Sequence, residues 1–235
     1  MKTLTKDEKE ALSLVQQDVE ITIDNVFSSF GEKALKNLKS LSGIFVALYF
    51  KIINHDPKTP NWKNKDDVFS TNNYANIVES VVKVHVGYEE FSNLRSYITK
   101  HTFLKVENTF GEAIGYYTAA RDSGDKHERF YYLVVSELDL LNNFSQPFSF
   151  ILNIILNNFS ALEFIQKNNM RRIIIISYTK SSNTEINKEN KLNGKLINLG
   201  FDTLVVNGLS PASVCEAVYY AKDLKKPTII LANVN

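Results

Sequence analysis

Glycine is scarce in this chain, nine residues in 235 where average usage gives roughly 16. Backbone that must come close to a phosphate is usually glycine, and no Walker loop, Rossmann fingerprint or other Gly-rich phosphate loop occurs, which excludes nucleotide binding by those routes. The single cysteine, Cys215, excludes an internal disulfide framework and a Cys-rich zinc site. Charge of one sign is also lacking. With 27 Lys and Arg against 26 Asp and Glu the net charge is +1, so there is no electrostatic footprint for nucleic acid or an anionic membrane surface. The longest apolar runs, Leu41–Phe50 and Phe148–Leu156, are interrupted by polar residues and too short to span a bilayer. The opening stretch, MKTLTKDEKEALSLVQQ, is charged from the start and lacks the apolar centre of a secretory signal. The expectation is a cytoplasmic protein with one core over residues 1–235, partnered by neither nucleic acid nor membrane.

What is present divides into two patterns. Residues 6–29 carry Ala11, Leu12, Val15, Val19, Ile23, Val26 and Phe27 at helical spacing, and Thr5 with Glu8 predicts a capping box at their start. Helices are predicted over Leu35–Ile53, Asn73–Gly87 and Glu89–Thr99, with turns at His55-Asp56-Pro57 and Thr59-Pro60-Asn61. Past Gly111 the pattern alternates. A helix over Gly111–Arg121 precedes the continuous apolar run Phe130–Val135, which reads as a strand buried on both faces. A helical stretch Pro147–Lys167 leads to the strand Arg172–Ser177, a helix Lys188–Leu199 and the strand Thr203–Val206. A helix Ser210–Lys222 and the strand Pro227–Ala232 complete the chain. Strands alternating with helices predict an α/β fold, a parallel sheet covered by helices on both faces, preceded by a helical half over residues 1–110.

Several phrases in colinear order resemble the N-terminal, diphosphate-binding domain of transketolase, a thiamine-diphosphate enzyme. They are LYFKIINHDPKTPNWKNKDDVF at 48–69, HVGYEEFSNLRSY at 85–97, GEAIGYYTAA at 111–120, RFYYLVVSELDL at 129–140 and RRIIIISYTKSSN at 171–183. The last, LGFDTLVVNGLSPASVCEAVYYAKDLKKPTIILANV at 199–234, resembles that domain's final βαβ unit. The resemblance implies the thiamine-diphosphate-binding fold and association through this domain. It also implies a cofactor seated between this domain and a pyrimidine-binding domain, which this chain does not contain.

Position by position, the motifs that the resemblance implies are altered. The family's early Gly-His-Pro-Gly-Gly loop falls on Gly31-Glu32-Lys33-Ala34-Leu35-Lys36-Asn37, with neither histidine nor proline. Its Ser-Lys-Gly-His segment falls on Ser70-Thr71-Asn72-Asn73, so Asn73 stands at the histidine position and cannot shuttle a proton near neutral pH. The Gly-His-Pro stretch before the Gly-Gln-Gly helix is shortened around Lys100-His101-Thr102, and His101 reads as a surface residue. The magnesium motif Gly-Asp-Gly maps onto Ser136-Glu137-Leu138, its downstream Asn onto Thr179 and a following carbonyl onto Ser181. Glu137, Thr179 and Ser181 all offer oxygen to a hard cation. Glu, however, is a methylene longer than Asp, magnesium demands near-octahedral geometry, and Leu138 adds bulk where the family has none. The stretch between Glu137 and Thr179 is also longer than in the family, and its excess, near Leu140–Ile155, would fill a cofactor pocket.

Other residues read as structural. Glu137 and Asp139 alternate after a strand as paired carboxylates or as ordinary turn residues; His85 lies on an apolar helix face, and Cys215 sits at packing spacing with Val214 and Val218. Two main functions remain open. One is a non-catalytic relative that has lost the thiamine diphosphate and Mg²⁺ site and acts as a homodimer or with a transketolase C-terminal-type subunit. The other is the active half of a split thiamine-diphosphate-dependent transferase, its Mg²⁺ held by Glu137, Thr179 and Ser181. A plain α/β module for an unrelated ligand is a third.

Overall fold

Seven consecutive residues, Ile173–Thr179, are buried, as a β-branched run such as IIIISYT requires of a strand with helices on both sides. The computed structural model describes residues 2–103, 109–123, 129–140, 160–179, 186–224 and 226–235. Among these, five strands form one parallel sheet: β1 (Asp67–Ser70), β2 (Tyr131–Ser136), β3 (Ile173–Thr179), β4 (Asp202–Asn207) and β5 (Thr228–Asn233). Their spatial order is β1-β2-β3-β5-β4. The helices are α1 (Lys6–Phe27), α2 (Glu32–Lys39), α3 (Ser42–Ala47), α4 (Asn73–His85), α5 (Leu94–Phe103) and α6 (Thr109–Asp122). They continue with α7 (Ala161–Lys167), α8 (Ile186–Asn198) and α9 (Pro211–Asp223). The α/β class read from the alternation holds.

Strand alternation sorts the core into two layers. Tyr132, Val134, Ile174, Ile176, Tyr178, Ile230 and Ala232 face α1, α3, α4 and α9. Tyr131, Leu133, Val135, Ile173, Ile175, Ile229 and Leu231 face α6, α7 and α8. Each such side chain contributes about 1.5–3 kcal/mol when fully buried. Local signals set the helix starts. The Thr5 hydroxyl accepts from Glu8 N (3.2 Å) while Glu8 Oε2 accepts from Thr5 N (2.8 Å), which is the expected capping box. Ser210 caps α9 ahead of Pro211, whose missing N–H costs nothing in the first turn.

Two departures from the expected elements have physical causes. The helix expected over Leu35–Ile53 is broken into α2, α3 and a π-turn at Leu48–Ile52, closed by Ile53 N donating to Leu48 O (2.9 Å). The break at Ser40-Leu41 lets α3 press onto the β4–α9 loop. A Cβ on Gly43 would lie 2.6 Å from Gly208 O and 2.8 Å from Leu209 O, so glycine is the residue that fits. Strand β1, DVFS, is an additional edge strand. It is short and only Ser70 is buried, so it lacks the apolar run that marked the others. The helix expected over Pro147–Lys167 is present as α7, opened by a Ser160/Glu163 capping box; residues 147–159 of that expectation lie outside the described residues.

Candidate functional site

Ligands of open parallel sheets meet the carboxyl ends of the strands. Here the register sets three of those ends side by side, with Ser70 opposite Val134 and Ser136 opposite Tyr178. Polar residues follow each apolar run, and three hydrogen bonds tie them across the strand ends. From β1 to β2, Thr71 Oγ1 donates to Asp139 Oδ2 (2.6 Å). From β1 to β3, the amide of Asn72 donates to the Tyr178 hydroxyl. From β2 to β3, Thr179 Oγ1 donates to Glu137 Oε2 (2.5 Å).

Each tie rests on local structure. Asn72 is the N-cap of α4, its Oδ1 accepting from Ala75 N (3.0 Å), so its amide is left to meet Tyr178. Residues 137–140 form a helical turn in which the Ser136 hydroxyl accepts from Asp139 N (3.1 Å) and donates to Asp139 Oδ2 (2.6 Å). Burial pushes the Tyr178 phenol up to about 12, against the opposing effect of the Asn72 hydrogen bond, so it is a donor and acceptor at neutral pH and not an anion.

Of the residues singled out in the sequence, Glu137 and Thr179 are brought into contact. Leu138 is 66% exposed and turned to solvent, so it does not plug the strand ends. Asn73 is exposed in the first turn of α4 and takes no part in the ties; it lines a separate cleft of about 340 Å³ with Phe27, Phe30, Ile77 and Arg95. Ser181, and the Leu140–Ile155 stretch beyond Leu140, lie outside the described residues. Glu137 and Asp139 engage different hydroxyls, Glu137 that of Thr179 and Asp139 those of Thr71 and Ser136. His85 Nε2 lies 3.0 Å from Thr22 Oγ1, and burial lowers its pKa. Cys215 is packed under α3, 3.8 Å from Ala47 O, and burial pushes its thiol up to about 12. Among the described residues no group of three or more His, Cys, Asp or Glu could hold a metal ion.

Two buried oxygens at this end of the sheet have no hydrogen-bond partner, Ser177 Oγ on β3 and Asn233 Oδ1 on β5. By alternation they share with Thr179 the face packed on α6, α7 and α8. Behind the site lies a buried network that sequence reasoning missed. Glu79, 2% exposed, accepts from the Tyr49 hydroxyl (2.8 Å), the Ser70 hydroxyl (2.9 Å) and Lys83 Nζ (2.7 Å). Burial alone would depress Lys83, but the charge and hydrogen bond of Glu79 outweigh it and raise its pKa. Its partners are separated by up to 30 residues in sequence, and the only local signal was the i,i+4 spacing of Glu79 and Lys83.

No protein-family profile and no curated protein matches the chain. Solved structures do. Transketolase from Leishmania mexicana superposes with a TM-score of 0.68 at 12% identity, covering 99% of this chain and 37% of that one. Transketolase from Campylobacter jejuni gives 0.66 at 16% identity, covering 94% and 37%. A mutant transketolase from Pichia stipitis gives 0.67 at 14% identity, covering 93% and 36%. The chain has a transketolase-like fold and spans a little over a third of the length of these neighbours.

Proposed function

We propose that this chain is a transketolase-type diphosphate-binding domain that keeps the scaffold but no longer builds the cofactor site. It then acts as a non-catalytic subunit through association, as a homodimer or with a transketolase C-terminal-type subunit. The observation that carries this reading is the set of three ties across the strand ends. Both carboxylates there, Glu137 and Asp139, already accept from the hydroxyls of Thr179 and Thr71.

Thiamine diphosphate and Mg²⁺ fit this end of the sheet poorly. No glycine occurs at 70–73, 136–140 or 177–179, so no backbone is free of side chains where a diphosphate would approach. Magnesium requires about six oxygens at roughly 2.0–2.1 Å, and both carboxylates here are held by hydroxyls. Leu138 is exposed and does not fill the strand ends, where Glu137 and Asp139 are engaged by hydroxyls. No described helix is long and apolar enough to cross a membrane, and we place the protein in the cytoplasm.

The unpartnered Ser177 Oγ and Asn233 Oδ1 favour a second reading, the active half of a split thiamine-diphosphate-dependent transferase. There Glu137, Thr179 and Ser181 would hold Mg²⁺, with the buried oxygens of Ser177 and Asn233 beside them. Thermal unfolding separates the two. A ligand at a hundred times its Kd adds about 2.7 kcal/mol, or roughly 5–10 °C for a chain of this size. The first reading expects no saturable shift with thiamine diphosphate and Mg²⁺. A shift of that size, abolished by Glu137→Ala, would establish the second.

A further inference from the structure

Strand β4 ends the sheet, and among the described residues nothing pairs with its outer side. We infer that this edge is where two copies of the chain associate, β4 against β4 in antiparallel pairing centred on Val205. The inference rests on the homodimer proposed above and names its surface. It does not depend on what the strand ends bind.

The direction of the backbone is the first observation. Asp202 N donates to Pro227 O (3.4 Å) and Gly208 N to Asn233 O (2.7 Å), at the two ends of the β4–β5 pairing. Successive residues of a strand point their backbone groups to opposite sides. Asp202, Leu204, Val206 and Gly208 therefore turn theirs to β5, and Thr203, Val205 and Asn207 turn theirs outward. Natural sheets blunt such an edge with proline, lysine or a bulge. Residues 203–207, TLVVN, contain none of these and no charge. The flanks are apolar and open. Val205 is 65% exposed on the face covered by α8, where Thr203 Oγ1 donates to Asn193 Oδ1 (2.5 Å). Ile197, one turn further along α8, is 53% exposed. On the other face a groove of about 380 Å³ runs between β4 and α9, lined by Leu204, Val206, Glu216, Ala217 and Tyr220.

The strand is also complementary to itself. A two-fold axis through Val205, perpendicular to the sheet, reverses the strand and keeps each face with its like. Val205 then exchanges both backbone hydrogen bonds with Val205 of the second copy, and Thr203 does the same with Asn207 at either end. Every outward-facing group is used. Leu204 comes opposite Val206, so apolar side chains meet on the α9 face as the two Val205 side chains do on the α8 face. Asp202 falls opposite Gly208, which has no side chain, and is held by Lys226 of its own copy (2.7 Å). Moving the axis to Leu204 would set Asp202 against Val206 and leave Asn207 beyond the end of the facing strand. This match favours a second copy over an unrelated strand.

The test is sedimentation equilibrium of the full chain up to about 100 µM, above the micromolar dissociation constants of weak interfaces, together with cysteine cross-linking. Wild type should be dimeric at the top of this range. Val205→Lys sets a charge against its own copy and should weaken the dimer at least tenfold. Val205 is exposed, and circular dichroism with a melting curve establishes that the variant is folded. Residues paired in this way have Cα atoms about 5.5 Å apart, within reach of a disulfide, so Val205→Cys should oxidise to a covalent dimer. Asn207→Cys should not, because its two copies lie about 14 Å apart along the strands. The buried Cys215 does not compete. Wild type that stays monomeric throughout overturns the inference and leaves association with a separate subunit standing. Val205→Lys as dimeric as wild type, or Asn207→Cys cross-linking as fast as Val205→Cys, overturns it too and places the homodimer contact elsewhere.

Discussion

Replacing Glu79 by alanine removes the acceptor that three donors share. Tyr49 and Lys83 direct protons at a carboxylate that is 2% exposed, and the Ser70 hydroxyl is shared between it (2.9 Å) and Asn76 Oδ1 (2.5 Å). Removing one partner of a buried ion pair costs about 3–5 kcal/mol, because the remaining charge is left uncompensated. Lys83 is about a quarter exposed, so its ammonium can turn toward water, and the lower end, about 3 kcal/mol, applies. At roughly 2–4 °C per kcal/mol for a chain of this length, the melting temperature should fall by about 6–12 °C. Urea unfolding followed by tyrosine and Trp62 fluorescence measures the free energy directly. Tyr49→Phe, which leaves the carboxylate with its lysine and serine, should cost only about 1 kcal/mol. The Ser70 hydroxyl immediately precedes Thr71 and Asn72, so hydrogen exchange at 71–76 should also accelerate in Glu79→Ala. A loss below about 1 kcal/mol, with no change in exchange there, would refute the claim that this network anchors the strand ends.

Other expectations follow from single contacts. Asp66 accepts from Phe130 N (2.8 Å) and Asn54 N (3.0 Å), so Asp66→Ala strands two backbone donors and should destabilise by about 2–4 kcal/mol in urea unfolding. Burial raises the Asp66 carboxyl above its ordinary value. Its ionisation therefore opposes folding, and stability relative to Asp66→Asn should fall as pH rises from about 4 through the folded-state pKa. Gly43→Ala forces a methyl against two backbone carbonyls and should cost about 1–3 kcal/mol by the same assay. Cys215, with its thiol pushed up to about 12 and fully buried, should resist a disulfide reagent at pH 8 until the protein unfolds.

The sheet was legible where strands are buried on both faces, because FYYLVV, RIIIIS and PTIILA leave no other economical home for their side chains. Strand β1 was not, since an edge strand needs only one apolar neighbour and DVFS offers no run. The single long helix expected at 35–53 failed for a different reason. Its apolar pattern is continuous, and the break comes from tertiary contact of Gly43 with Gly208 and Leu209, which no local signal carries. At the site, Glu137 and Thr179 are named because the resemblance maps the magnesium motif onto them, and the register puts them in contact. From sequence alone Thr71, Asn72 and Tyr178 are given no role, and Asp139 is read only as a carboxylate paired with Glu137 or as a turn residue. Their ties join residues 68 and 106 positions apart, and only the parallel register makes them neighbours.

Equilibrium dialysis of the purified chain against labelled thiamine diphosphate with excess Mg²⁺ tests the self-satisfied strand ends most directly. The account predicts no retained label above that of a denatured control, in wild type and in Glu137→Ala alike. One equivalent of label held by wild type and released by Glu137→Ala would contradict it.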